Sequence, residues 1–166
     1  MLYTIGYEGS SLPQFISTIW AHRVSTLIDI RDRAQSRKKG FSKSGLRDAV
    51  ERQGIDYVHI RSLGDPKEGR VAARAGDFDR FRQIYFNVLS GSDAQEGLGK
   101  AVSLVSKGRA CLMCYERDFL NCHRKIVSDE IARILGCDVS HLQVIKDEFK
   151  RLQSRRVLHC SESTAA

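Results

Sequence analysis

The sequence predicts a single α/β domain over residues 1–145, with a mainly parallel five-stranded sheet and helices on both faces in Rossmann-like or flavodoxin-like layering. Two observations carry that expectation. Short apolar runs alternate along the chain with longer stretches whose apolar residues recur at helical spacing, and a chain of 166 residues is the size of one domain with one good core. Strands that alternate with helices pair in parallel and are covered on both sides. Beyond Lys146 the apolar content thins, so residues 146–166 are expected to be a basic tail, partly frayed.

The elements follow in order. Leu2 to Ile5 reads as a strand stopped at Gly6. Ser10 or Ser11 can cap the next helix, with Pro13 in its first turn and Phe15, Ile16, Ile19 and Trp20 on its inner face. Val24 to Ile30 is the second strand. A basic loop leads to a helix from Lys43 to Gln53 with Leu46 and Val50 inward, ended by Gly54, and Ile55 to His59 is the third strand. The connection through Leu63-Gly64-Asp65-Pro66 and residues 67–76 is long, basic and glycine-containing, which suits a mobile lid. Asp77 caps a helix burying Phe78, Phe81, Tyr85 and Leu89, and another runs from Ala94 to Lys107. Residues 109–115 form the fourth strand. Asn121 then caps a helix with Val127, Ile131, Ile134 and Leu135 on one face as far as Gly136, and Val139 to Ile145 is the fifth strand.

Cys111 to Arg124 (CLMCYERDFLNCHR) is the richest segment chemically. An apolar strand runs through a polar loop into a helix whose first turn carries Cys122, His123 and Arg124. Unpaired N–H groups and the positive end of the helix dipole attract anions there and favour a thiolate at Cys122. Glu116 ends an apolar strand, where a carboxylate is costly to bury without a partner or a task. In open parallel sheets functional residues collect beyond the carboxyl ends of the strands. Tyr7 and Glu8 follow the first strand, Asp29 and Arg31 end the second, His59 ends the third, and Cys114 and Glu116 end the fourth, so one rim is expected to hold them all. Candidate catalytic residues are Glu116, Asp29, Cys122, Cys114 and His123. Candidate substrate or phosphate contacts are Tyr7, Glu8, Arg31, Ser36, Arg37, Lys38, Phe41, His59 and Arg124.

The same motifs carry a family resemblance. Thr4-Ile5-Gly6-Tyr7-Glu8-Gly9, Asp29-Ile30-Arg31 with Ser36-Arg37-Lys38-Lys39-Gly40-Phe41, Tyr57-Val58-His59 before Leu63-Gly64, and the segment Cys111–Arg124 stand in one order over roughly residues 2–145. This chain resembles the domain-of-unknown-function 488 family. The resemblance implies a compact α/β fold with polar motifs gathered at one site. Ala34 and Phe119 stand where proline is usual in that family, both in loops.

Charge and cysteine usage bound the function. The net charge is +7, and eight basic residues against three acids between Arg31 and Arg52 account for five of it, which favours an acidic partner. Cysteines without a signal peptide argue for reduced thiols and a cytoplasmic location, and no apolar run approaches the ~20 residues of a membrane span. Cys111 and Cys114 form a C-x-x-C that invites zinc, yet on a strand they point to opposite faces and cannot share one ion. No metal is therefore expected. The P-loop and dinucleotide fingerprints are absent, as is a Cys-x5-Arg phosphatase loop, so no cofactor is expected either. The leading expectation is an enzyme, a hydrolase or transferase, acting at a Cys/Glu/Asp/Arg site on a phosphate-containing substrate, a nucleotide or nucleic acid, so the expected partner is a nucleic acid or a phosphorylated small molecule. The alternatives are a noncatalytic nucleic-acid-binding module, and a thiol-dependent enzyme or redox sensor using Cys114 and Cys122.

Overall fold

The computed structural model describes residues 1–144. The expected tail 146–166, and the end of the fifth strand at Ile145, lie outside the described residues. Five strands, β1 (Leu2–Gly6), β2 (Thr26–Asp29), β3 (Asp56–His59), β4 (Ala110–Cys114) and β5 (Val139–Leu142), form one all-parallel sheet in the order β3-β2-β4-β1-β5. Six α-helices connect them: α1 (Leu12–Ala21), α2 (Lys43–Glu51), α3 (Lys67–Arg74), α4 (Phe78–Leu89), α5 (Ser92–Lys107) and α6 (His123–Leu135).

Side-chain alternation along the strands divides the core in two. Tyr3, Ile5, Leu27, Cys111 and Met113 face α1 and α2, where Phe15, Ile19, Leu46 and Val50 pack. Leu2, Ile28, Ala110 and Leu112 face the other helices, against Phe81, Tyr85, Leu98, Val105, Val127 and Ile131. The chain moves one way across the sheet from β1 through β2 to β3, and the opposite way from β3 through β4 to β5. Connections of a single hand then place α1 and α2 on one face and α3 to α6 on the other. Because the connection leaving β4 goes to the opposite face from those leaving its neighbours β1 and β2, a crevice opens above the ends of these three strands.

Local details depart from expectation where one side chain had to be assigned a face. Trp20 is 49% exposed and Ile134 46%, so neither joins the inner faces proposed for them. In α1 the polar Thr18 takes the inward place between Phe15 and Ile19. Residues 67–74 are not an open loop: they form α3, which packs on α4. Gly136, at φ 60°, does end α6 in the left-handed conformation that glycine adopts without strain. The N-cap of that helix is Cys122, because Asn121 belongs to a 3-10 turn, Phe119–Asn121, whose own cap is Asp118.

Candidate functional site

The crevice is a cleft of about 650 Å³. Its wall carries the guanidinium groups of Arg31, Arg33, Arg37, Arg70 and Arg74 with the Lys38 ammonium, and its floor is Cys114, Glu116 and His123. The parallel register sets this arrangement. Gly6 lies beside Cys114, and Asp29 lies beside Met113, so the residues that follow each strand emerge at one level.

Arg31 is held from behind. Asp29, fully buried, accepts from its Nε at 2.8 Å and its Nη2 at 2.6 Å, and Tyr57 donates to the same carboxylate at 2.5 Å. The remaining nitrogen, Nη1, donates to the Tyr7 hydroxyl at 3.1 Å and the Phe41 carbonyl at 2.9 Å. Burial alone would lower the Arg31 pKa, but Asp29 and Tyr7 outweigh it and raise it, so the group is a permanent cation. Asp29 has no acceptor atom free for a proton-transfer role. The expectation that it acts as a catalytic base is corrected: it braces Arg31.

The floor is a compact polar cluster. Cys114 and Cys122 each donate a thiol hydrogen to Glu116 Oε2, at 3.0 and 3.1 Å. His123 Nε2 donates to the Ile30 carbonyl at 3.0 Å, which turns Nδ1 toward the two sulfurs, 3.8 and 3.9 Å away. Burial pushes the Glu116 pKa up, but His123 and the two thiol donors more than offset it, and the net direction is down. Burial pushes His123 down, and Cys122, Glu116 and the Ile30 carbonyl outweigh this to bring it up to about 9. Both thiols go the opposite way from the expected activation. Burial raises Cys114, and it raises Cys122 well above the usual thiol value despite the helix N-terminus, because a 2% exposed sulfur gains more from staying neutral.

That correction makes a prediction about reactivity. Cys111, Cys114 and Cys122 are buried, whereas Cys137 is half-buried. Among the described cysteines, Cys137 should alkylate first in the folded protein, with Cys122 as slow as Cys111. Peptide mass spectrometry after a brief pulse of iodoacetamide checks this, and preferential labelling of Cys122 would contradict the burial argument.

Several other expected contacts stand elsewhere. Arg124 is 1% exposed and does not line the cleft; its Nη1 and Nη2 donate to the carbonyls of Glu116 and Arg117, so it pins the loop that carries Glu116 instead of binding an anion. Phe41 is fully buried and stacks on Tyr7 with ring centres 4.3 Å apart, which leaves no face for a base. Glu8 accepts from the Arg117 backbone N–H and borders a separate hollow. His59 donates from Nε2 to the Arg31 carbonyl and lines a separate open depression that shares Asp32, Arg33 and Gln35 with the cleft. Tyr7, Arg31, Ser36, Arg37, Lys38, Cys114, Glu116 and His123 do line the cleft, and Cys122 borders a smaller recess of about 130 Å³ shared with Glu116 and His123.

Residue order alone missed Asp65, Arg70 and Arg74. Asp65 is buried to 7% exposure with one carboxylate oxygen lacking a partner among the described residues, and burial raises its pKa to about 6 despite His123 and Arg70. Arg70 and Arg74 are four apart on α3 and so share one helical face, a signal available only if residues 67–74 are read as a helix. Among the described residues no helix is long and apolar enough to cross a membrane. No curated protein and no solved structure gives a significant match to the chain. A family model described as Domain of unknown function DUF488 matches residues 11–131, most of the sheet and all of the cleft floor, and by that match the chain belongs to this family.

Proposed function

We propose that the protein is a cytoplasmic enzyme acting on a phosphate-bearing substrate, a nucleotide or a nucleic acid, by hydrolysis or group transfer in this cleft. The observation that carries the reading is the pairing of six cationic side chains on the wall with a floor of Cys114, Glu116 and His123, backed by the buried Cys122. Guanidinium groups bind phosphate oxygens in bidentate fashion, which Arg37 and Arg74 can offer, whereas Arg31, with four of its five N–H donors committed to Asp29, Tyr7 and Phe41, adds a fixed positive charge to the wall. Glu116, ionised and facing the cleft, is the group placed to orient or deprotonate an attacking nucleophile. The exposed basic residues Lys39, Lys43 and Arg47 continue the positive surface beyond the cleft, which favours a polymer over a mononucleotide.

A salt series with labelled single- and double-stranded oligonucleotides tests this. Removing one cation that neutralises a phosphate should lower the salt slope of log affinity by about 0.7 to 0.9. Joint replacement of Arg37 and Arg74 by alanine should weaken binding and reduce the slope by one to two such steps. No binding to oligonucleotides or nucleotides at low salt would overturn the reading. Binding with no conversion of any bound substrate would favour a noncatalytic nucleic-acid-binding module instead.

Asp65 adds a pH dependence. Its carboxyl is neutral below about pH 6 and charged above, where it opposes an incoming phosphate. Asp65→Asn should therefore tighten phosphate binding several-fold at pH 7.5 and leave it nearly unchanged at pH 5. An equal effect at both values would exclude Asp65 titration as the cause.

A further inference from the structure

We propose that Cys114, Cys122, His123 and Glu116 form a Zn²⁺ site at the floor of the cleft. The proposal extends the reading of the cleft as an active site, but it stands on the geometry of the four side chains and not on the identity of the substrate. Their sulfur, nitrogen and oxygen donor atoms all lie within 4.8 Å of one another. Tetrahedral zinc, with Zn–S near 2.3 Å and Zn–N or Zn–O of about 2.0–2.2 Å, holds its ligands roughly 3.5–3.8 Å apart. The two sulfur–nitrogen separations of 3.8 and 3.9 Å need to close by about 0.3 Å. The two sulfur–oxygen separations of 3.0 and 3.1 Å are those of thiol hydrogen bonds, and they need to open by about half an ångström when an ion replaces the thiol hydrogens.

The surroundings are those of a metal site as well. His123 is committed through Nε2 to a backbone carbonyl, the outer contact that metal-bound histidines typically make, and this leaves Nδ1 as the ligand atom. Cys122 is the N-cap of α6, where the helix dipole stabilises a thiolate. Two thiolates, an imidazole and a carboxylate are a donor set that selects zinc over magnesium or calcium. The objection that Cys111 and Cys114 point to opposite faces of the sheet does not reach this set. Cys111 lies on the α1 and α2 side, whereas Cys114 shares the side of Leu112, toward α6. Without an ion, two buried thiols converge on one carboxylate oxygen as its only side-chain donors among the described residues, and thiols are weak donors.

Binding forms two Zn–S bonds, one Zn–N bond and one Zn–O bond, and three protons leave to solvent, one from each thiol and one from His123 Nδ1. Cys114, Glu116 and His123 line the cleft, so an ion held there faces whatever the arginines bind. If the Glu116 carboxylate swings away, the ion keeps three protein ligands and one position open to the cleft, the arrangement in which zinc acts as a Lewis acid.

The test uses the full chain produced in zinc-supplemented and in cobalt-supplemented medium. Native mass spectrometry should show one metal ion per chain with displacement of protons, and the cobalt protein should show thiolate-to-cobalt charge transfer and the intense visible bands of a tetrahedral ion. Cys122→Ser should lose about half of the thiolate intensity or the metal itself, whereas Cys137→Ser should keep both. Because Cys122→Ser could unfold, the wild-type spectrum stands as a separate criterion. A wild-type protein that carries less than a tenth of an equivalent of metal, a cobalt spectrum without thiolate character, or a Cys114–Cys122 disulfide in its place would overturn the site. Metal content is independent of oligonucleotide binding, so loss of either result leaves the other standing.

Discussion

Asp29→Ala should destabilise the fold by about 3–5 kcal/mol, the cost of leaving one partner of a buried ion pair alone. Asp29 is fully buried and Arg31 only 5% exposed, so removal of the carboxylate strands a guanidinium with two neutral acceptors, the Tyr7 hydroxyl and the Phe41 carbonyl. The Tyr57 hydroxyl loses its acceptor in the same step. Urea unfolding monitored by circular dichroism measures the shift. Asp29→Asn, which keeps the shape and one acceptor oxygen, should fall between wild type and alanine. A loss under 1 kcal/mol for the alanine variant would mean that Arg31 reaches water, and the account of Asp29 as a brace would fail. A catalytic base at this position would give the opposite pattern, with activity lost and stability kept.

The contrast shows what was legible in the sequence. Alternation of apolar runs and helical periodicity was enough for the parallel sheet, and the strand-end rule then brought Tyr7, Arg31, Cys114, Glu116 and His123 to one rim. The rule places backbones and does not decide which way a side chain turns. Asp29 ends β2 and Arg31 follows two residues later, but only the longer side chain can reach the cleft while its carboxylate partner fills the space behind. Arg124 shares its turn with His123 but turns toward the carbonyls of the 116–117 loop, which a sequence motif does not distinguish from an anion contact. The helix α3 was hidden for a different reason. Its buried residues are Gly69 and Ala72, too small to leave an apolar stripe among charged neighbours. Cys122 was judged by the dipole at its helix end, a modest effect, when complete burial of the sulfur decides its protonation in the metal-free protein.

Glu116→Gln should lower turnover on whichever substrate the cleft retains by about 10²–10⁴-fold, the usual contribution of a positioned acid or base, while substrate binding holds or tightens. The substitution keeps the shape of the side chain and removes its negative charge from beneath the phosphate. Turnover with the wild-type protein should show no acid limb in the neutral range, because the Glu116 pKa is depressed below its ordinary value and the carboxylate stays charged there. A second route to the same loss acts through the backbone alone. A Cβ on Gly6 would meet the Glu116 carbonyl oxygen, so Gly6→Ala has to push the 116–117 loop away from β1. Displacement of about 1 Å can cost on the order of 10²-fold in rate, and Gly6→Ala should show it without changing any charge in the cleft. Arg37 and Arg74 remain in place in both variants, so oligonucleotide affinity separates a disturbed floor from a disturbed wall. If Glu116→Gln converts substrate at the wild-type rate, Glu116 is not the reacting group; a Gly6→Ala variant that is equally active would show that the 116–117 carbonyls need not be held where Arg124 holds them.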